Sequence, residues 1–263
     1  MNEAFRARGK TFDDTDVARC YAFRPPYAAE LFEAVLARVP DRSALLDLGT
    51  GNGKIAGALA SKFRHVTAVD PSRPMLHVAR ELWQDRHNID WVCSTAEDAP
   101  LSGPYDLVTA GASMHWMNPA VLFPKLAQHL SRNGLIAIIV GDFPMEPPWQ
   151  EAWTSFVSRI TERMGGKYDP KGWLANYETH EPWIDIELRQ TFVHTCTQSV
   201  DDFIECQHSR ASWARQKLGP VLCADFDREA KALLVPYARG GTLHFNVDTD
   251  LTIGRPRSAP ITQ

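Results

Sequence analysis

The residues best placed to do chemistry surround a cluster of glycines. Leu45-Leu46-Asp47-Leu48-Gly49-Thr50-Gly51-Asn52-Gly53 sets three glycines at alternate positions after an apolar run. Glycine lets a chain leave a strand through a sharp turn and lets its backbone approach a ligand closely. The helix that must follow offers unpaired N–H groups to a polar or anionic group. Asp70 ends the next apolar run, and a carboxylate there can accept both hydroxyl hydrogen bonds of a ribose. A plainer alternative has the glycines making a tight turn and Asp70 capping the helix that begins at Pro71. Together, in the order strand, glycine loop, helix, strand, acid, the two features point to a bound nucleoside.

Charge narrows the ligand. The dinucleotide fingerprint Gly-x-Gly-x-x-Gly needs a glycine where Lys54 stands. Asp47, two positions before Gly49, would repel a pyrophosphate and suit an ammonium group. S-adenosylmethionine carries an α-ammonium, a ribose and an adenine without phosphate, and is the expected cofactor. An NAD(P)-dependent oxidoreductase and a non-catalytic S-adenosylmethionine-binding partner protein are the alternatives.

The surrounding pattern supplies the elements that hold these residues. Strands are predicted over 43–48, 65–69, 89–93, 105–110 and 135–140. Helices are predicted over 27–39, 53–63, 71–83 and 119–130. Apolar strands alternating with helices signal a parallel, doubly wound α/β sheet. After Gly141 the chain turns rich in Trp and Pro. Helices are predicted over 149–163, 200–217 and 224–234, and a strand over 184–195. An alternating stretch over 243–253 reads as an antiparallel edge strand. Residues 1–20 are polar and mixed, and read as a mobile or ligand-ordered arm.

These residues also carry a family likeness. The stretch 45–141 resembles the class I S-adenosylmethionine-dependent methyltransferases. Asp47 to Gly53 looks like that family's first motif, and Val66-Thr67-Ala68-Val69-Asp70 like its ribose-binding acid motif. Ser94-Thr95-Ala96-Glu97-Asp98-Ala99-Pro100-Leu101 resembles its adenine-contacting segment, with Thr95 where an Asp is usual and the Ala96 backbone or Glu97 as substitutes. The resemblance implies a Rossmann-like, seven-stranded sheet whose last strand is antiparallel, plus a helical cap from C-terminal insertions. The implied layout is a cofactor-covering segment at 1–40, a cofactor-binding core at 41–141, and a cap with the closing strands at 142–263. It implies cofactor contacts from Asp47, Gly49, Thr50, Gly51, Asn52, Gly53, Asp70, Pro71, Met75, Thr95, Ala96, Glu97, Ala110, Gly111 and Tyr21. S-adenosyl-L-homocysteine would be the product. Tyr21-Ala22-Phe23-Arg24-Pro25-Pro26-Tyr27 and Ala112-Ser113-Met114-His115-Trp116 are similar to the trans-aconitate methyltransferase-like branch, which acts on small molecules.

Near the reacting centre, His115 follows the fourth strand and could take a proton from an attacking hydroxyl or amine; its alternative is a hydrogen bond that shapes the pocket. Tyr21 could contact the cofactor or exclude water. Arg24, Trp116, Trp149, Arg210 and Trp213 are candidates for holding the acceptor, and His208, Ser212 and Arg215 would share a helix face with i, i+4, i+7 spacing. His129, His180, His194 and His244 show no metal-ligand spacing, so no catalytic metal is expected. Methyl transfer from an activated donor needs alignment and exclusion of water more than a base.

The 263 residues are 44% hydrophobic and 23% charged, with a formal net charge of −4, which excludes a disordered chain and gives no bulk attraction to nucleic acid. The five cysteines are odd in number and lack a Cys-x-x-Cys pair, which suits a reducing cytoplasm. No apolar run reaches membrane length. The expected partner is a small-molecule acceptor, with no nucleic acid or membrane, for a monomer or homodimer.

Overall fold

The computed structural model describes residues 9–169 and 179–261. The part of the expected cap at 170–178, which includes Trp173, lies outside the described residues.

The predicted arm is helical where it is described. A 3-10 turn over Lys10–Asp13 leads into α1 (Thr15–Cys20), capped by the Asp14 carboxylate, which accepts from the Asp16 N–H at 2.7 Å. Val17, Ala18 and Cys20 are buried, so apolar packing holds this stretch against the body of the fold. Next come α2 (Ala29–Leu36), β1 (Ala44–Leu48), α3 (Lys54–Leu59), β2 (His65–Asp70), α4 (Arg73–Leu82), β3 (Ile89–Cys93), β4 (Tyr105–Gly111), α5 (Pro119–His129) and β5 (Leu130–Val140).

These five strands pair in parallel in the order β3-β2-β1-β4-β5. Their hydrophobic runs follow from burial on both faces. One face packs Leu45, Val66, Leu107 and Ile139 against α2 and α3; the other packs Leu46, Leu48, Val108 and Ile138 against α5. Local signals set the helix starts. Ser72 accepts from the Met75 N–H at 3.2 Å and Asn118 from the Ala120 N–H at 3.1 Å, and each helix has a proline in its first turn.

The chain then adds β6 (Pro144–Met145), α6 (Gln150–Arg163), β7 (Ile184–Ser199), α7 (Val200–His208), α8 (Arg215–Leu234) and β8 (Thr242–Pro256). Among the described residues the short β6 brings the expected seven-stranded sheet to eight strands. β8 is antiparallel to β5, as expected of the last strand, but it is internal rather than an edge. It pairs β5 on one side and β7 on the other, with Ile253 opposite both Ala137 and Leu188. Its alternating pattern reports a strand buried on one face only, which a central antiparallel strand also shows.

The cap forms its own core from Trp149, Phe156, Phe203, Trp213, Phe226 and Phe245, with Trp153 packed against it. The single helix predicted over 200–217 is interrupted. α7 stops at His208, Ser209 turns back to give its hydroxyl to the Cys206 carbonyl at 2.6 Å, and α8 starts only at Arg215. The supposed common face of His208, Ser212 and Arg215 therefore does not exist. Ser212 lines the cavity, whereas His208 and Arg215 pair with acids away from it.

Candidate functional site

Strand order creates the site. Between β1 and β4 the sheet switches direction of travel, and ligands of open α/β sheets bind outside the carboxyl ends of strands at such a switch. Gly49, Asp70, Ala112 and Gly141 follow or end β1, β2, β4 and β5 at this edge. Ala112 holds the left-handed conformation, φ 47°, with its N–H on the Ile139 carbonyl at 2.8 Å. The edge opens into a cavity of about 1670 Å³, larger than a single ligand pocket of roughly 300–1,000 Å³. The cavity runs from the glycine loop to the aromatic residues of the cap.

The glycine loop is shaped for close approach. Gly49 and Gly51 have φ of 63° and 56°. A Cβ on Gly49 would lie 2.5 Å from the Ser113 Cβ, and one on Gly51 would face the Tyr21 ring at 3.6 Å. Asp70 forms the wall beside them. Its two oxygens accept from the N–H groups of Gly51 and Ser72, each at 2.8 Å, so the carboxylate is fixed in orientation with lone pairs left for a ligand. Burial pushes its pKa up to about 6, against the two backbone hydrogen bonds, which lower it. A rigid carboxylate beside a left-handed glycine loop fits a ribose diol.

Asp47 plays a different part from the one its charge suggests. It is buried beneath the loop at 1% exposure. Its oxygens accept from the Thr50 hydroxyl at 2.6 Å, the Thr109 hydroxyl at 2.7 Å and the Ala56 N–H at 3.2 Å. It braces the turn from beneath, its oxygens held by Thr50, Thr109 and Ala56, rather than lining the cavity. Thr50, Asn52, Gly53 and Ala110 are likewise not among the residues that line the cavity. Gly49, Gly51, Asp70, Pro71, Met75, Thr95, Ala96, Glu97, Gly111 and Tyr21 do line it. In the adenine-like segment the Glu97 carboxylate is taken by the Asn118 N–H at 2.6 Å. The Thr95 hydroxyl bonds Asp98 at 2.9 Å, which brings in a carboxylate that sequence reasoning passed over.

The N-terminal residues roof this half. The Ser72 hydroxyl bonds the Phe12 carbonyl at 2.6 Å, and Phe12 meets Tyr21 and Trp116 edge-on at 6.2 and 5.9 Å. His115 lines the cavity next to Trp116, with ring centroids 4.7 Å apart. Burial, then Arg24, lowers its pKa to about 4, so the ring is neutral at neutral pH.

A buried ionic centre joins the two halves. Asp142, two residues past the end of β5, takes Arg24 at 3.0 Å on one oxygen and Arg210 at 3.3 Å on the other. Arg24 also donates to the Ser209 hydroxyl at 2.8 Å and its carbonyl at 3.0 Å, and its guanidinium lies 4.1 Å from the Tyr21 ring centre. Arg210 stacks on Phe143 at 3.9 Å. Burial alone would raise the Asp142 carboxyl, but Arg24, Arg210 and Lys54 hold it well below the usual carboxylate range. Two guanidiniums to one carboxylate leave the centre positive. Arg24, Arg210, Trp116, Trp149 and Trp213 all reach the cavity, Trp149 while packed edge-on against Phe203 and Phe245 in the cap core. Arg215 instead binds Asp16 and Glu205, and His208 binds Asp227. Sequence reasoning missed Asp142. Its signal was an acid and a glycine at the carboxyl end of the most apolar strand.

Comparison with known proteins agrees with this geometry. Residues 45–134 match the methyltransferase domain family. A malonyl-[acyl-carrier protein] O-methyltransferase of Marinomonas sp. is 30% identical over 154 residues, 56% of this chain and 56% of that protein. An uncharacterized methyltransferase of Mycobacterium tuberculosis is 32% identical over 117 residues, 44% of this chain and 46% of that protein. The chain thus spans about half the length of the curated relatives it matches. Among solved structures, one from Anaeromyxobacter dehalogenans, assigned provisionally as a type II methyltransferase, superimposes with a TM-score of 0.64. It is 20% identical and covers 90% of this chain and 99% of that one, a likeness of fold.

Proposed function

We propose that this chain, a member of the class I S-adenosylmethionine-dependent methyltransferases through residues 45–134, transfers a methyl group to an oxygen or nitrogen of a small organic acid, foremost to its carboxylate. The observation that carries this reading is the Asp70 carboxylate, oriented by two backbone N–H groups at the edge of the glycine loop. S-adenosylmethionine supplies a methyl group on a positively charged sulfur, open to in-line displacement.

The chain's own residues provide the rest. Asp70 accepts the ribose hydroxyls, and the Gly49–Gly51 backbone leaves room beside the Tyr21 ring. Phe12, Tyr21 and Trp116 close over this half and exclude water. The net positive centre of Arg24, Arg210 and Asp142 orients an acidic acceptor toward the sheet edge. A carboxylate acceptor is already a nucleophile and needs no general base, which suits a His115 with so little basicity. The malonyl-[acyl-carrier protein] O-methyltransferase relatives, named for a carboxylic acid, support the same choice.

Calorimetric titration with S-adenosyl-L-homocysteine tests the reading. Wild-type chain should bind it, and Asp70→Ala should lose roughly 100-fold or more, since two hydrogen bonds to a charged group are worth about 1.5–3 kcal/mol each. A wild-type chain indifferent to the compound overturns the proposal. Screening aliphatic and aromatic acids for methyl ester formation then tests the acceptor.

A further inference from the structure

Outside the cavity, three side chains of different chemistry converge. His208 is the last residue of α7, and Cys223 and Asp227 lie one helical turn apart on α8. The Asp227 Oδ1 is 2.7 Å from the His208 Nε2, and its Oδ2 is 4.0 Å from the Cys223 Sγ. One donor atom from each of the three lies within 4.8 Å of the others. The imidazole is wholly buried, and its Nδ1 is 2.8 Å from the Trp213 carbonyl oxygen. A carbonyl only accepts, so Nδ1 carries the hydrogen there. A neutral ring would then aim its Nε2 lone pair at a carboxylate oxygen. That contact requires positive charge between the two atoms, either a second ring proton or a cation.

The neighbourhood favours a cation. Arg215 is bonded to Asp16 and Glu205, and Lys231 is paired with Asp201. Asp16, Glu205 and Asp227 against Arg215 leave two negative charges. The Trp213 carbonyl is the kind of partner that fixes the tautomer of a metal-bound histidine. Asp227 is 40% exposed and borders a surface cleft of about 300 Å³, which gives an ion a route in.

We propose that His208, Cys223 and Asp227 bind a divalent, borderline-soft cation such as zinc, with water as the fourth ligand. Tetrahedral bonds of about 2.0–2.3 Å place donor atoms roughly 3.3–3.7 Å apart. The Nε2–Oδ1 contact must open by about 0.7 Å and the sulfur–oxygen contact close slightly, which side-chain rotation supplies. Binding displaces the thiol proton and any Nε2 proton to solvent. The ion would tie the end of α7 to α8 across the turn that carries Arg210 and Trp213 into the cavity. Its role is bracing, and it leaves the methyl-transfer chemistry untouched.

The test uses the full, metal-free chain titrated with Co²⁺ and then Zn²⁺. One Co²⁺ per chain should bind with a near-ultraviolet thiolate-to-metal charge-transfer band. Zn²⁺ should abolish that band and raise Tm. Cys223→Ser, isosteric and partly exposed, should lose the band with an unchanged circular dichroism spectrum. Cys20→Ser should keep the band, and Asp227→Asn should weaken uptake at least tenfold. No band in the wild type, or a band that survives Cys223→Ser, overturns the proposal and leaves His208 as a protonated ring in a simple ion pair.

Discussion

Arg24 and Asp142 form an ion pair 3.0 Å long between residues 118 apart in sequence, with side chains 9% and 6% exposed. The pair fastens the N-terminal Arg-Pro-Pro-Tyr stretch to the carboxyl end of β5. Through Arg210 and Ser209, the same centre also fastens the cap turn. Desolvating ions costs several kcal/mol each, so such a centre is weak as a source of stability, but breaking it is expensive because a partner is left charged and buried.

Asp142→Ala should therefore destabilise the chain by about 3–5 kcal/mol, since two guanidiniums lose their counter-charge. The sign with pH follows from the depressed carboxyl. Its contribution is full above the ordinary carboxylate pKa near 4 and is lost as pH falls below it. Urea unfolding of wild type and variant at pH 3, 5 and 7 should show the gap narrowing only at pH 3.

Lys54 shows the opposite economy. Burial, opposed by Asp142 and helped by Arg24, lowers its pKa from 10.5 to about 8, while its Nζ donates to the Pro25 carbonyl at 2.6 Å. The unfolded chain holds this proton more tightly, so Lys54 costs stability at neutral pH and the cost is relieved as pH rises from 8 to about 10. Lys54→Met keeps the stem and drops the charge. It should raise stability at pH 7 by about 1–2 kcal/mol after discounting the lost hydrogen bond and residual solvent. Its advantage should shrink by pH 10, read from urea midpoints.

The parallel half of the fold was legible because its signals are local. Leu45–Leu48 and Val66–Val69 are buried on both faces and read as continuous apolar strands, and Gly49 and Asp70 sit at their ends by spacing alone. What was not legible depends on distant partners. β8 reads as an edge because one face is exposed, yet β5 and β7 flank it. Asp47 reads as a ligand group from its charge, but Thr109, far along the chain, claims one of its oxygens. Asp142 shows locally only as an acid after the glycine that follows the most apolar strand, and its meaning comes from Arg24 and Arg210, which only folding brings together.

His115 should not control the pH dependence of turnover. With a pKa near 4 its ring is neutral across pH 5–8, and so weak a base contributes little to proton removal. His115→Gln should keep the shape of the pH–rate profile, with kcat reduced by less than about tenfold. A limb that disappears in the variant would assign the ring a direct proton-transfer role.

As the proposed acceptor of the ribose hydroxyls, Asp70 should give ligand affinity and chain stability opposite responses to pH. Its carboxyl, raised from 3.8 to about 6, must be ionised to accept two hydroxyl hydrogen bonds. Affinity for S-adenosyl-L-homocysteine should thus climb through pH 6 to a plateau, with pH 5 about tenfold weaker than pH 7.5. In the unliganded chain the folded state binds this proton more tightly than the unfolded state does. The contribution of Asp70 to stability accordingly falls as pH rises from about 4 to 6, by up to about 3 kcal/mol. Asp70→Asn should flatten the affinity profile at its weak end. It should also remove the stability slope, less about 1–3 kcal/mol for the Gly51 or Ser72 N–H now facing an amide NH₂. Calorimetry of binding and urea unfolding on the same two proteins between pH 4.5 and 8 measure both. Two slopes of the same sign would remove Asp70 from the ligand.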